Sequence, residues 1–395
     1  MNKKNNIHAT VQSLLASALA LSGLGQKVAA QTLEDEQVNY RYSKYDEDAL
    51  PDGLVQSGDP ARYQIETHQF RLVKSIGDRY SLTFNAVHET MSGSSPWFVL
   101  PGANGTPVQI LSGATIEDKR DEFRGKLTRL AENGKWSLEL GVSDEDDYQA
   151  KSLSLAREIE NEDKSRTWAL SGSISLDDID PTDALLFDRV ESAEKDSFSI
   201  YGGLTQVINR DTLLQVGLNV SKHDGFLSDP YKRVFVENTI RNDNRPGSRT
   251  QYAASARLRH YLNSVKAALH VNYRYYLDDW SVEAHTLDIS WNQKLPSGWR
   301  LSPAIRYHSQ ESASFYSPFF TDSPANGFYS SDYRLATYGA LSYRISVNKT
   351  INDWDFIVSA ELYDSKESLA ISGTQFQTSG LVDFSRFTAG FNYRF

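Results

Sequence analysis

The chain has 395 residues, with 41 Lys and Arg against 51 Asp and Glu, giving a net charge of -10 and a mean hydropathy of -0.49. No basic patch of the density that nucleic-acid binding requires is present. The chain has no cysteine, which excludes disulfides, thiolate metal sites, a lipid-anchor cysteine and covalently attached c-type haem; any redox group therefore belongs to a partner.

At the start, Lys3 and Lys4 precede an apolar stretch from Val11 to Leu24, and Val28-Ala-Ala30 supplies small residues for cleavage before Gln31. Residues 1–30 are expected to be a secretory signal peptide and residues 31–395 the exported domain. Beyond them no apolar run approaches the ~20 residues of a spanning helix. Instead, segments of alternating character recur at 36–45, 62–74, 80–91, 119–131, 135–146, 148–159, 164–177, 196–208, 212–223, 249–261, 265–278, 280–295, 299–311, 332–349, 353–366 and 381–395. Short joins with turn chemistry lie at 75–79, 132–135, 209–211, 262–264, 296–298 and 351–353. Between them fall long joins near 46–61, 92–118, 178–196, 224–248, 312–331 and 367–379.

This rhythm predicts an all-β fold: a transmembrane, up-and-down antiparallel β-barrel of about sixteen strands, with short periplasmic turns and long external loops, in the outer membrane of a Gram-negative bacterium. Low mean hydropathy is no objection, because only one residue in two meets lipid. Two segments fit poorly. Residues 62–74 alternate weakly, and the twelfth strand changes phase between Thr286 and Leu287, which suggests a bulge.

The final strand sends Phe387, Ala389, Phe391, Tyr393 and Phe395 to one face. Phe387, Phe391, Tyr393 and Phe395 resemble the C-terminal signal that outer-membrane proteins present to their insertion machinery. Trp136, Trp168, Trp299 and Trp354 each follow a short join and Trp291 precedes one, the placement expected of a periplasmic aromatic girdle. Trp280 falls at an external turn and Trp97 in a long loop.

Candidate chemistry lies on the face assigned inward. Arg124, Lys126, Arg257, Arg259, Lys266, Arg274, Arg300, Arg306, Arg334 and Arg344 stand there with Glu122, Glu139, Glu283, Asp288, Asp355 and Glu361. Such groups either set up a field across a wet channel or pair for stability. Arg257, Arg259, Lys266 and Arg274, on neighbouring strands, predict a cationic wall that prefers anions, with Glu283 and Arg306 nearby. His270, His285 and His308 fall on three consecutive inward faces, but without metal-ligand spacing they read as solvated lumen residues. The acidic runs at Asp144-Glu-Asp-Asp147 and at Asp177, Asp178, Asp180 and Asp183 read as solvated loops, with divalent cations or lipopolysaccharide as the sharper alternative. Two loop motifs, Ser95-Pro-Trp-Phe98 and Ser317-Pro-Phe-Phe320, pack against other loops, form a partner surface or fold inward. No nucleophile elbow, phosphate loop or dinucleotide fingerprint is present, so no catalytic residue, metal site or cofactor is assigned.

Tyr42-Ser-Lys-Tyr-Asp-Glu47, Ser94-Ser-Pro-Trp97, Gly225-Phe-Leu-Ser-Asp-Pro-Tyr231, Asn244-Arg-Pro246 and the terminal strand together resemble an uncharacterised family of Gram-negative outer-membrane proteins of about this length. Members are often neighbours of a small lipoprotein, a thioredoxin-like protein and a flavin transferase. The resemblance implies a sheath or conduit in an extracytosolic redox system, with a lipoprotein or flavoprotein partner. The expected function is therefore a non-enzymatic porin-like channel or scaffold. Its partners are outer-membrane lipid, lipopolysaccharide and the insertion machinery. The alternatives are a membrane-embedded lipid-modifying hydrolase, whose Ser, His and polar orienter would meet only in space, and a plugged structural or surface-binding barrel.

Overall fold

A strand that crosses lipid must bond both of its edges, and only a sheet closed on itself leaves none bare. The computed structural model, which describes residues 32–112, 116–374 and 377–395, meets this condition. The expected signal peptide lies outside the described residues. The strands are β1 (Gln37–Glu47), β2 (Val55–Ser57), β3 (Gln64–Ile76), β4 (Tyr80–Gly93), β5 (Pro96–Pro101), β6 (Pro107–Leu111), β7 (Ile116–Ala131), β8 (Gly134–Glu145), β9 (Tyr148–Glu160), β10 (Arg166–Ile179), β11 (Ala193–Asn209), β12 (Thr212–Gly225), β13 (Arg233–Val236), β14 (Thr239–Asn242), β15 (Ser248–Leu262), β16 (Ala267–Asp278), β17 (Glu283–Lys294), β18 (Trp299–Gln310), β19 (Tyr338–Ile351), β20 (Trp354–Lys366) and β21 (Phe384–Arg394). Sixteen of them form one closed antiparallel barrel, sealed where β1 pairs with β21. The other five make two small sheets within the long connections: β2, β6 and β5 in one, β13 and β14 in the other.

All sixteen expected strands are present, with ends shifted by up to six residues; the largest shift is at β19, which starts at Tyr338. Short turns gather at one end of the barrel, where β1 begins and β21 ends, and the long connections gather at the other. On β8, Trp136, Leu138, Leu140 and Val142 are exposed on the outside. Four outward side chains at a spacing of about 6.8 Å cover about 20 Å of strand, an apolar stretch of the kind that forms a membrane barrel's outer band. Outward residues on neighbouring strands, such as Phe123, Leu155, Leu170 and Leu218, continue it.

Three expectations fail on register. Lys266 is off the wall: residues 263–266 form the turn before β16, and Lys266 sits exposed there with φ 54°. Strand β17 runs without a bulge, pairing Tyr275 with His285 and Leu277 with Glu283. Those partners face lipid-side, so Glu283 and His285 point outward. Above the apolar belt outward residues are also polar, and polarity there no longer reports which face is wet. The third is Arg334, which lies in a loop rather than on the wall. Strand β3 alternates weakly because its inward residues Ile65 and Val73 are apolar and buried, while Phe70 is exposed on the other face.

The seam shows why one position must be glycine. Arg41 crosses it to donate to the Phe391 carbonyl (2.7 Å) and to Asn392 Oδ1 (2.6 Å). A Cβ on Gly390 would stand 2.2 Å from the Tyr40 carbonyl oxygen and 2.7 Å from Arg41 Cδ. Gly390→Ala is expected to destabilise the closed barrel by about 1–3 kcal/mol. The check is a lowered urea midpoint for the compact form on semi-native gels.

Candidate functional site

The connection between β12 and β15, residues 226–247, leaves and re-enters the wall at one point, where Gly225 N donates to the Gly247 carbonyl (2.8 Å). Its Tyr231 is buried against Tyr45, Ile65 and Met91. These three are inward residues of β1, β3 and β4, on the opposite side of the barrel from β12 and β15. The loop therefore spans the lumen. Along the way Tyr231 OH donates to Asp147 in the β8–β9 turn and accepts from Thr182 N (3.1 Å). Lys232 Nζ donates to the Pro96 carbonyl (3.0 Å), and Ser331 Oγ to the Arg233 carbonyl (3.2 Å).

The connection between β18 and β19, residues 311–337, completes this cap. Asn244 and Tyr329 exchange backbone hydrogen bonds of 3.1 and 2.8 Å, and Trp280, Phe315, Tyr316 and Leu335 form an apolar cluster beside them. Phe98 is buried, Trp97 stands edge-on to Phe187 at 6.3 Å, and Phe320 N donates to the Phe235 carbonyl (2.9 Å) in the β12–β15 connection. Both Ser-Pro-aromatic motifs thus pack against other loops.

Charges lock the cap internally. Arg245 bridges Asp243 (2.6 Å) and Asp332 (2.9 Å); Arg334 bridges Asp332 (2.5 Å) and Asp229 (2.8 Å). Arg62 pairs with Glu47 at 2.8 Å, each side chain 1% exposed, and lies over the Tyr333 ring. Burial by itself would raise the Asp332 carboxyl, but Arg334, Arg245 and Lys232 outweigh it and hold that group far below the ordinary carboxylate range. A depressed carboxyl contributes stability above its unfolded value, about 3.9, and loses it only as pH falls through the lower folded value. For Asp332 that loss lies far into acid. The protease resistance of residues 311–337 is expected to stay unchanged between pH 7 and about pH 4.5; loss of protection within that window would contradict the assignment.

Beneath the cap, the register places Arg257, Arg259, Arg274, Arg306 and Arg344 inward on β15, β16, β18 and β19. Asp288 is the carboxylate among them, 3.5 Å from Arg306 and 3.7 Å from Arg344. Arg259 donates to Asn272 Oδ1 (2.7 Å), and Asn272 Nδ2 donates on to Asp288 Oδ1 (3.0 Å). Arg274 lies over the Tyr276 ring. Adjoining β15, strands β12 back to β9 turn mainly Ser, Gly, Thr and Asn toward the middle of the lumen, among them Ser154, Ser173, Gly203 and Asn219. Of the expected lumen group, the structure brings Arg257, Arg259, Arg274 and Arg306 together and leaves Lys266 and Glu283 elsewhere.

His270 and His308 face inward and His285 outward, so the three do not meet. His285 Nδ1 lies 2.8 Å from Tyr273 OH, and His68 Nδ1 lies 2.7 Å from Tyr40 OH on the far side of the barrel. Behind this likeness is a repeat that the sequence reading missed: Asn-Tyr-Arg followed by Tyr or Phe at 39–42, 272–275 and 392–395. The second and third copies put Asn272 and Asn392 in matching relays, with Asn392 between Arg41 and Asp355. The recurring tetrapeptide was the available signal.

Trp136, Trp168, Trp299 and Trp354 are exposed on the outer face at the short-turn end, and Trp291 is half-buried on that face. Phe387 and Phe395 are exposed and Phe391 and Tyr393 half-buried; Trp354 contacts Tyr393 at 4.5 Å and Phe391 at 5.3 Å. At the cap's rim, carboxylate oxygens of Asp118, Glu145 and Asp147 lie within 4.8 Å of one another. A Ser–His–amide chain also forms: Ser197 Oγ is 2.8 Å from His223 Nδ1, and His223 Nε2 is 3.4 Å from Gln251 Oε1. It faces the lumen.

Among solved structures, the chain is similar to the siderophore receptor PirA from Pseudomonas aeruginosa, at 10% identity and a TM-score of 0.44, over 85% of this chain and 57% of that one. PirA from Acinetobacter baumannii matches at 9% identity and 0.42, over 85% and 53%. The chain thus spans little more than half the length of these receptors. A bacterial polysaccharide outer membrane secretin matches at 8% identity and 0.47, over 93% of this chain and 99% of that one. No match is found among curated proteins. Residues 11–395 match the family described as "Protein of unknown function (DUF3570)", and the chain belongs to that family.

Proposed function

We propose that this protein is a non-enzymatic outer-membrane barrel that serves as a scaffold or sheath, its chamber closed to the outside by the cap and entered from the periplasm. The observation that carries this reading is the crossing of the lumen by residues 226–247, anchored on the opposite wall by Tyr231. A free-running porin keeps an aqueous path between its loops, whereas here the loops are tied to one another by buried ion pairs. The redox role implied by the family resemblance falls to the partner, since this chain has no cysteine. The lumen-facing position of Ser197, His223 and Gln251 supports the non-enzymatic reading, because a lipid-modifying serine must meet acyl chains on the outer face.

In planar bilayers the purified protein is expected to conduct far less than an open sixteen-stranded pore. Large, steady wild-type currents would sink the capped scaffold and favour the porin-like channel. Purification in mild detergent with mass spectrometry and flavin absorbance tests for the partner. The aromatic residues Phe387, Phe391, Tyr393 and Phe395 act in this reading as the insertion signal, with the tryptophans as the periplasmic girdle. Deleting Phe395 is expected to lower the amount of heat-modifiable barrel recovered from membranes, with unfolded chain accumulating instead.

A further inference from the structure

Charge in the lumen is compensated on one side and uncompensated on the other. Between β3 and β8 every inward arginine has a carboxylate: Arg71 meets Glu34 at 2.6 Å, Arg120 meets Glu89 and Glu122 at 3.7 and 3.8 Å, and Arg124 contacts Glu122 and, at 3.9 Å, Glu139. At mid-height from β15 to β19, Arg257, Arg259, Arg274, Arg306 and Arg344 stand against Asp288, while nearer the cap Arg249 has its own carboxylate in Asp278 at 2.5 Å. Asp288 is shared by Arg306 and Arg344. Arg259 has only neutral acceptors, the Leu258 carbonyl and Asn272. Arg274 rests on a tyrosine ring. Among the described residues, Arg257 makes no hydrogen bond or ion pair with any side chain.

We propose that this wall is a binding site for a small, multiply charged oxyanion. Arg257 and Arg259 are two positions apart on one strand, about 7 Å, and Arg274, opposite Ser255 on the next strand, stands diagonally about 8 Å from Arg257. Planar guanidinium forks match the oxygen pairs of phosphate-type or carboxylate groups, which an isotropic halide with its single charge does not offer. Asn272 adds a neutral group between them, and Asp288 fixes the far edge by holding Arg306 and Arg344. The surroundings sharpen the contrast: the adjoining wall from β12 to β9 is uncharged at mid-height, and the wall across the lumen from β3 to β8 has its arginines already paired with carboxylates.

The test is isothermal titration of the full-length, detergent-folded protein with sodium pyrophosphate at constant ionic strength, with sodium chloride as the comparison. Saturable pyrophosphate binding is expected, with no saturable response to chloride. Arg257→Gln and Arg274→Gln should each weaken binding about tenfold, the effect of losing one charge-assisted contact, and the double variant should abolish it. Arg124→Gln, on the compensated wall, should bind like the wild type. Arg257→Lys keeps the charge but not the fork; it guards against misfolding and should still lose affinity several-fold. Absent saturation, unchanged binding in the double variant, or equal loss in Arg124→Gln would overturn the proposal. The result is separate from the scaffold reading, since an open pore with this wall would still bind pyrophosphate and a capped barrel without such a site would not.

Discussion

A variant lacking residues 228–244 is expected to pass at least about ten times the current of the intact protein and to favour anions. The excision removes Asp229, Tyr231, Lys232 and Asp243, and with them the segment that crosses to Tyr45, Ile65 and Met91. It leaves the wall alone, because Gly225 and Gly247 already face each other across a backbone hydrogen bond of 2.8 Å and a short turn can join them. Anions should dominate the current because Arg257, Arg259, Arg274, Arg306 and Arg344 then line an open path. Single-channel recordings with salt gradients measure both properties. Conductance equal to wild type would mean that the loop does not obstruct the lumen.

Asp332→Ala should loosen the cap by about 3–5 kcal/mol, the cost of stripping a buried ion network of a central partner. Asp332 receives Arg334 and Arg245 side chains and the backbone N–H of Arg334 (3.1 Å), so its loss leaves two buried guanidiniums under-compensated. Asp229 meets one of those guanidiniums, and Asp229→Ala should have a smaller effect. Hydrogen exchange is the measurement: amides in the connections at 226–247 and 311–337 should lose protection while those of β8 to β10 keep theirs. Equal protection in wild type and Asp332→Ala would show that apolar packing around Trp280 and Phe315 holds the cap without the charges.

Strand number, orientation and most faces were legible in the residues because lipid imposes one rule on every strand. A side chain that points out within the belt must be apolar, and the next must not. Trp136 to Val142 obey it, as do the terminal aromatics. The rule weakens above the belt, where outward groups meet water or headgroups. That is where Glu283 and His285 were misassigned. Lys266 failed for a different reason, since a turn one or two residues longer than expected removes a residue from the ladder without altering the alternation beyond it.

The loops carried little that could be read in advance. Their acidic and aromatic motifs suit an exposed surface as well as a folded one. Asp229, Asp243, Arg245, Asp332 and Arg334 come from two connections almost ninety positions apart, and nothing periodic ties them together. Alternation under the lipid constraint is local, acting on each residue and its neighbour two positions on, so the sequence by itself determined a closed barrel with an oily outside. Whether the loops stand clear or knit across the opening, and which arginines keep a carboxylate, depends on contacts between residues far apart in the chain, loop against loop above the lumen and side chain against side chain across neighbouring strands. Only the tertiary structure decided those, because charge compensation is a property of distance in space.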